Sequence, residues 1–457
     1  MTQTTQKHET SRPIPIPRTG ITGAPNLLLH ILLCLTSIMI AAGAANAFDA
    51  LRVPRLAVEI FGGVLLLLIG VYFFRIGKLT GKMSRGFLPV LIFGSVLLIY
   101  LTSSTILAAV CFSAIFYMGE GAILLATQPK KSLVSFPLVP LVAFGVAALV
   151  CKELDVALLT LIPLPATIAL AQGTRSSAAK ENGLTRVGVI CLTSLCFGIT
   201  VVGFGLWFLH QSLGTLEISA IRDMLDTLRT QVTAQILELN LTSGQETIYP
   251  FQGQEALVAD TVAITINILP GIFVAFCNIV ATLAQMLTLS GLTAFGFGDS
   301  VTGRVKAFRI SVVSSFVFLL AWIVALIANA ESTTLVGTVA ENFTIILMPG
   351  MALAGFLRLT ITLAKKGCAP GCLLILVFFI PCVSTYAFII FAMYEAIAAV
   401  FGPLVAKLKP PKNDDDHIFP PQGGQDDNND SDDSNQNNND NDNDNNDNTN
   451  DQGPRLF

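Results

Sequence analysis

Apolar residues in this chain come in long blocks, not in the short alternations of a water-soluble domain. Runs dominated by Leu, Ile, Val, Ala and Phe occupy about 27–48, 56–74, 87–101, 104–127, 134–150, 156–172, 187–209, 257–289, 308–329, 343–364 and 372–405. A helix of about 20 such residues crosses the hydrocarbon core of a bilayer, and a helix satisfies its own backbone hydrogen bonds where water is absent. The pattern therefore predicts an all-α fold, a polytopic transmembrane helix bundle of about 10–12 spans. The expected organisation is a cytoplasmic N-terminal segment at 1–26, an N-terminal bundle at 27–209, an extracytoplasmic segment at 210–256, a C-terminal bundle at 257–405 and a tail at 406–457.

Lys and Arg gather between the runs at Arg75/Lys78/Lys82/Arg85, Lys130/Lys131, Arg175/Lys180/Arg186, Arg304/Lys306/Arg309 and Lys365/Lys366. If 87–127 is split at Leu101-Thr102-Ser103-Ser104, these are every second connection, and the positive-inside rule turns them all to the cytoplasm. A single crossing by 372–405 would then leave Lys407, Lys409 and Lys412 outside. That run is therefore expected to be a helical hairpin bent near Pro381 and Ser384-Thr385, with both chain ends cytoplasmic. The first run ends in Ala45-Asn46-Ala47, which fits a signal-peptidase site; its length favours a retained span. In the external segment, Ile218, Ile221, Leu225 and Leu228 form a helical stripe. This predicts an amphipathic helix that caps the bundle, lies on the membrane or binds a partner.

Composition sharpens this picture. The 457 residues are 53% hydrophobic and 13% charged, with a mean hydropathy of +0.67, whereas soluble domains carry about 25% charged residues. The net charge of −4 belongs to the tail: residues 1–409 hold 25 Lys and Arg against 18 Asp and Glu, and 13 Asp follow. From Asn413 onward Asp, Asn, Gln and Gly predominate, a composition that offers no core to offset ordering entropy, so the tail is read as disordered. The tail lacks Glu, so no EF-hand can close there. The basic clusters are short and separated, unlike a phosphate-tracking face, which argues against a nucleic-acid partner.

Chemistry-bearing motifs are few. The nine cysteines lie mostly inside apolar runs, where Cys behaves as a small hydrophobe. Cys368-Ala-Pro-Gly-Cys372 lacks the second pair or His that a structural zinc site needs. No phosphate-cradling Gly-Lys-Ser or Gly-Lys-Thr motif occurs, and the four His are not spaced for a metal. We expect no catalytic residues, no metal and no cofactor.

The candidate functional residues lie inside the spans, where polar side chains are costly and face the bundle interior or a water path. On run 257–289, Asp260, Asn267, Gly271, Asn278, Thr282 and Gln285 share a helical sector about 60° wide. Such a stripe serves either a solute path or dry helix-to-helix hydrogen bonding. Pro270-Gly271 and Pro349-Gly350 interrupt two spans, as kinks or as the broken helices of transporters. A faint parallel repeat accompanies them, with Thr261-Val262-Ala263 and Thr338-Val339-Ala340 upstream. Glu120, flanked by Gly119 and Gly121, and Glu395 join the candidate solute path, while Glu59 and Arg358 are further intramembrane charges for ion pairing or ligand contact.

The stretches NILPGIFVAFCNIVATLAQML, VAENFTIILMPGMALAGFLRLTITLAKKG and FIIFAMYEAIAAVFGPLVAKL resemble the YybS-like family of multispan bacterial membrane proteins. The resemblance implies a multi-pass protein of the bacterial cytoplasmic membrane, distantly similar to the substrate-binding components of energy-coupling-factor transporters. It implies small-solute binding in the bundle, with a coupling membrane subunit and ATPases as partners beside the lipid bilayer. The alternative is a non-transporting scaffold or regulator of envelope processes.

Overall fold

In a computed structural model, the described residues are 24–80, 105–127, 136–179, 184–214, 217–242, 255–297, 310–328, 334–365 and 381–408. They form α1 (Ala24–Ala47), α2 (Arg55–Thr80), α3 (Thr105–Thr127), α4 (Leu138–Val150), a single turn α5 (Leu154–Ala157), α6 (Pro163–Ala179), α7 (Arg186–Leu213), α8 (Ile218–Thr242), α9 (Glu255–Leu292), α10 (Val312–Ala328), α11 (Leu335–Lys365) and α12 (Pro381–Leu408). A 3₁₀ turn, Leu158–Leu161, links α5 to α6, and a π-helical turn, Thr293–Phe297, ends α9. Extended pairing among the described residues is one isolated bridge between Leu51 and Cys151, where two helix connections meet.

Among the described residues, seven helical segments are long and apolar enough to span a membrane: Leu27–Ala47, Arg55–Tyr72, Thr105–Thr127, Leu154–Ser177, Arg186–Ser212, Val258–Leu292 and Leu335–Phe356. Shorter apolar helices cover Leu138–Val150, Val312–Ala328 and Ile389–Gly402. The protein is thus an all-helical, multi-pass membrane protein. Its lipid-facing residues are legible as large apolar side chains left on the outside, such as Leu67, Val71, Leu195, Ile199, Val313 and Ile327, which water would not tolerate in such a continuous band.

α3 is the most enclosed span, with 83% of its apolar window buried. It packs against α1, α2, α6 and α9, and small residues make that possible. A Cβ on Gly119 would lie 2.6 Å from Leu287 Cδ2 of α9, and one on Gly121 would lie 2.8 Å from Thr167 Cγ2 of α6. Small side chains allow the close approach that drives helix association in lipid.

α9 is the spine. Its 38 residues span about 57 Å at 1.5 Å per residue, more than a bilayer core. Its C-terminal half packs on α3 and α7, and α11 docks on it from the other side, carrying α10 and α12. The boundary read at residue 257 therefore falls on a helix shared by both groups.

Two sequence expectations change form. Both Pro270 and Pro349 sit inside continuous helices, so the helices are not broken there. α12 runs through Ser384-Thr385 without a bend and starts at Pro381, a favoured first helical position because proline has no N–H to satisfy there. Successive neighbours of α11 and α12, Gly355 with Phe391 and Arg358 with Glu395, rise together in number, so the two helices run parallel and end on one side. The rest of the expected hairpin, 372–380, lies outside the described residues, as do run 87–101 and the acidic tail.

The amphipathic segment forms the 25-residue helix α8, which packs on α9 and leaves Met224, Leu225 and Leu228 partly exposed. Gly214 closes the preceding span at φ 72°, a left-handed conformation that costs glycine least. Gly214→Ala is expected to lower stability by about 1 kcal/mol, measurable as a small drop in melting temperature in detergent.

Candidate functional site

The polar face of α9 meets α11 and α7. At its centre lies Pro270, which has no N–H to give, so the ladder of α9 is already incomplete there. One residue later, Gly271 N–H donates to Asn342 Oδ1 on α11, at 2.6 Å. The same Asn342 amide donates through Nδ2 to Asn267 O at 3.0 Å, and also to Thr338 O of its own helix at 2.9 Å. Asn267 O is also the i−4 carbonyl of Gly271 in an α-helix. The Asn342 side chain therefore clasps a donor and an acceptor one turn apart on the backbone of α9 and ties them to α11. Gly271 makes the close approach possible, since a Cβ there would sit 2.6 Å from Asn342 Oδ1.

The contact is partly reciprocal. Asn278 Nδ2 on α9 reaches Ile346 O on α11 at 3.5 Å, a long bond to the carbonyl three residues before Pro349. Thr282 Oγ1 turns back to Asn278 O at 2.7 Å. Further along, Gln285 Nε2 donates to Arg186 O at 3.2 Å and Gln285 Oε1 accepts from Arg186 Nε at 3.4 Å, fastening α9 to the start of α7. Gln285 is buried, Asn278, Thr282 and Asn342 are half-buried, and Asn267 and Asp260 are exposed. The stripe thus grades from sealed at the Arg186 end to open near the start of α9.

The two candidate glutamates lie elsewhere and apart. Glu120 on α3 is fully buried, and its Oε2 accepts from Tyr72 Oη of α2 at 3.1 Å. Next to it, Thr288 Oγ1 of α9 bonds Gly119 O at 3.0 Å and Ala284 O at 2.8 Å. Thr288 and Gly291 lie on a different face of α9 from the Asn267–Gln285 stripe, so Glu120 does not join that stripe. Glu395 on α12 is buried, and Arg358 on α11 grips it with Nε 2.8 Å from Oε2 and Nη2 donating to Oε1 at 3.0 Å. Two charges flagged separately in the sequence are one ion pair. Glu59 pairs with Arg55 one turn away at 3.2 Å, on an exposed face, where such pairs are worth only a few tenths of a kcal/mol.

Sequence reasoning did not single out Asn342, Tyr72, Arg186 or Thr288 as members of these sites. Asn342 had a signal: an intramembrane Asn four residues after Thr338, inside the repeated Thr-Val-Ala to Pro-Gly element. Arg186 was read only as an orientation charge, and nothing local distinguishes Tyr72 from any interfacial tyrosine. No cluster of three or more His, Cys, Asp or Glu suited to a metal occurs among the described residues. Comparisons of the chain with protein-family models, with curated proteins and with solved structures found no match.

Proposed function

We propose that this membrane protein binds a small polar solute in the crevice between α9 and α11, around Asn267, Gly271, Asn278 and Asn342, as part of a transport process in a bacterial cytoplasmic membrane. The observation that carries the proposal is the Asn342 amide held against the Gly271 N–H and the Asn267 carbonyl of α9. It presents backbone and amide groups at about the middle of two apolar spans, on a stripe that is open at one end. Polar groups left partly exposed at that depth are costly against lipid and are stable against water or a solute. A solute with carboxyl or amide groups would compete for Gly271 N–H and Asn267 O. The resemblance to the YybS-like family points the same way and supplies the expectation of a coupling subunit and ATPases, since the chain has no phosphate loop of its own.

The rival reading, a scaffold or regulator of envelope processes, draws on the sealed end of the stripe. The reciprocal Gln285–Arg186 pair and the Asn342 bonds to the backbone of α9 are also what static helix fastening looks like.

A thermal-shift screen on the full-length protein in mild detergent separates the two, with amino acids, vitamins and nucleosides as probes. Under the transport reading one class raises the melting temperature of the native protein and does not raise that of Asn342→Leu or Asn278→Leu. Under the scaffold reading no class shifts it, Asn278→Leu keeps its stability, and purification from native membranes recovers envelope proteins and not an ATPase pair.

A further inference from the structure

Glu120 lies outside the α9–α11 crevice, and its surroundings are unusual for a carboxyl. It is fully buried within the most enclosed helix of the bundle. Oε2 has one donor, the Tyr72 hydroxyl at 3.1 Å. Oε1 is buried and has no hydrogen-bond partner, and no salt bridge to Glu120 occurs among the described residues. The neighbouring polar groups are already engaged: Thr288 Oγ1 serves Gly119 O and Ala284 O. Among the described titratable side chains of the surrounding helices, α3 itself contributes Tyr117, α2 Tyr72, α1 His30 and Cys34 and α6 Arg175, while Arg186 at the start of α7 is held by Gln285. Of these, Tyr72 is the one that bonds Glu120.

We infer that Glu120 is a proton-binding site in the membrane interior, holding its proton on Oε1 while Tyr72 donates to Oε2. An ionised carboxylate in this place would be a buried charge with a single neutral donor, which the surroundings do not compensate. A hard metal cation in its place would need about six oxygen ligands. The side-chain oxygens that bond here are those of Glu120 and the Tyr72 hydroxyl, with the Thr288 hydroxyl engaged by Gly119 O, and among the described residues no cluster of acidic side chains suited to a metal occurs. A proton needs one oxygen, and Oε1 is that oxygen. Glycines on either side of Glu120 seal the site: a Cβ on Gly119 would strike Leu287, one on Gly121 would strike Thr167, and on α9 a Cβ at Gly291 would meet Ile123 and lie 3.6 Å from Oε1. The carboxyl is thus enclosed by α2, α3, α6 and α9, and a shift of α2 or α9 that admits water would release the proton. This gives the chain a proton-linked step that does not depend on the solute reading.

The test is infrared spectroscopy of the full-length protein in lipid nanodiscs, with the proton as probe through buffer pH. The expected result is a carbonyl stretch of a protonated carboxylic acid at neutral pH that is lost in Glu120→Gln. Because Tyr72 donates to the carbonyl oxygen, Tyr72→Phe is expected to move the same band to higher frequency, and this variant carries the test should Glu120→Gln fail to fold. Identical neutral-pH spectra for native protein and Glu120→Gln would show an ionised or solvated Glu120 and overturn the inference. So would a band unmoved by Tyr72→Phe, or one abolished by sodium at constant pH, which would make the site a cation site.

Discussion

Gly355→Leu is expected to lower the stability of the folded protein in detergent by about 4 kcal/mol, since overpacking a tight contact costs about 1–3 kcal/mol and stranding a buried carboxylate adds more. At Gly355, α11 lies directly against the backbone of α12: a Cβ there would overlap Phe391 O and lie 2.8 Å from Phe391 C and 3.3 Å from Glu395 Cβ. Backbone cannot rotate aside as a flexible side chain can, so the helices must separate. Separation also undoes the T-shaped Phe356–Phe391 contact, 5.7 Å between ring centroids, and pulls Arg358 from Glu395. Gly70→Ala is the internal control. A Cβ at Gly70 meets nothing within 4 Å, and removing a glycine from a helix interior is neutral or slightly stabilising. Thermal unfolding of both variants followed by size-exclusion chromatography decides the matter. Equal melting temperatures for Gly355→Leu and Gly70→Ala would mean that α11 and α12 are not packed as described.

Arg358→Leu is expected to be the second most damaging change, at about 2–3 kcal/mol, below the 3–5 kcal/mol typical of breaking a fully buried pair. The discount follows from the asymmetry of the pair: the Arg358 side chain is 43% exposed, while that of Glu395 is 4% exposed. Arginine can reach toward the membrane surface by itself, but Glu395 cannot leave α12. What destabilises the variant is therefore the abandoned carboxylate, not the lost attraction. It follows that Arg358→Leu/Glu395→Leu should recover most of the loss, because replacing both charges by apolar groups is often neutral. A double-mutant cycle of melting temperatures measures this, and purely additive losses would show that the two side chains act independently.

The Asn342 bonds to α9 show why the candidate site was only half visible beforehand. The α9 stripe was readable because one helix carries it, and helical periodicity of about 100° per residue converts spacing into a common face. Its meaning was not readable, since a polar face has two physically acceptable partners, another helix or a solute, and both favour Asn, Gln and Thr. The partner that takes the Gly271 N–H, Asn342, is 71 residues away. No local rule reaches that far. The same holds for Tyr72, 48 residues from Glu120, whereas Arg358 and Glu395 were each conspicuous as charges in apolar surroundings and lacked only their pairing.

The sequence by itself determined that this is a multi-pass helical membrane protein, because about 20 apolar residues in a row have no stable place except a lipid-spanning helix. It also determined the polar face of α9, which follows from periodicity within a single helix. Only the tertiary structure decided that α9 continues through its proline as a spine for both helix groups, that Asn342 bonds its backbone, that Arg358 closes on Glu395, and that Glu120 is buried against Tyr72. The physical reason is that in lipid the hydrophobic effect places helices in the membrane but does not choose their neighbours. Close approach at glycines and hydrogen bonds between distant residues make that choice.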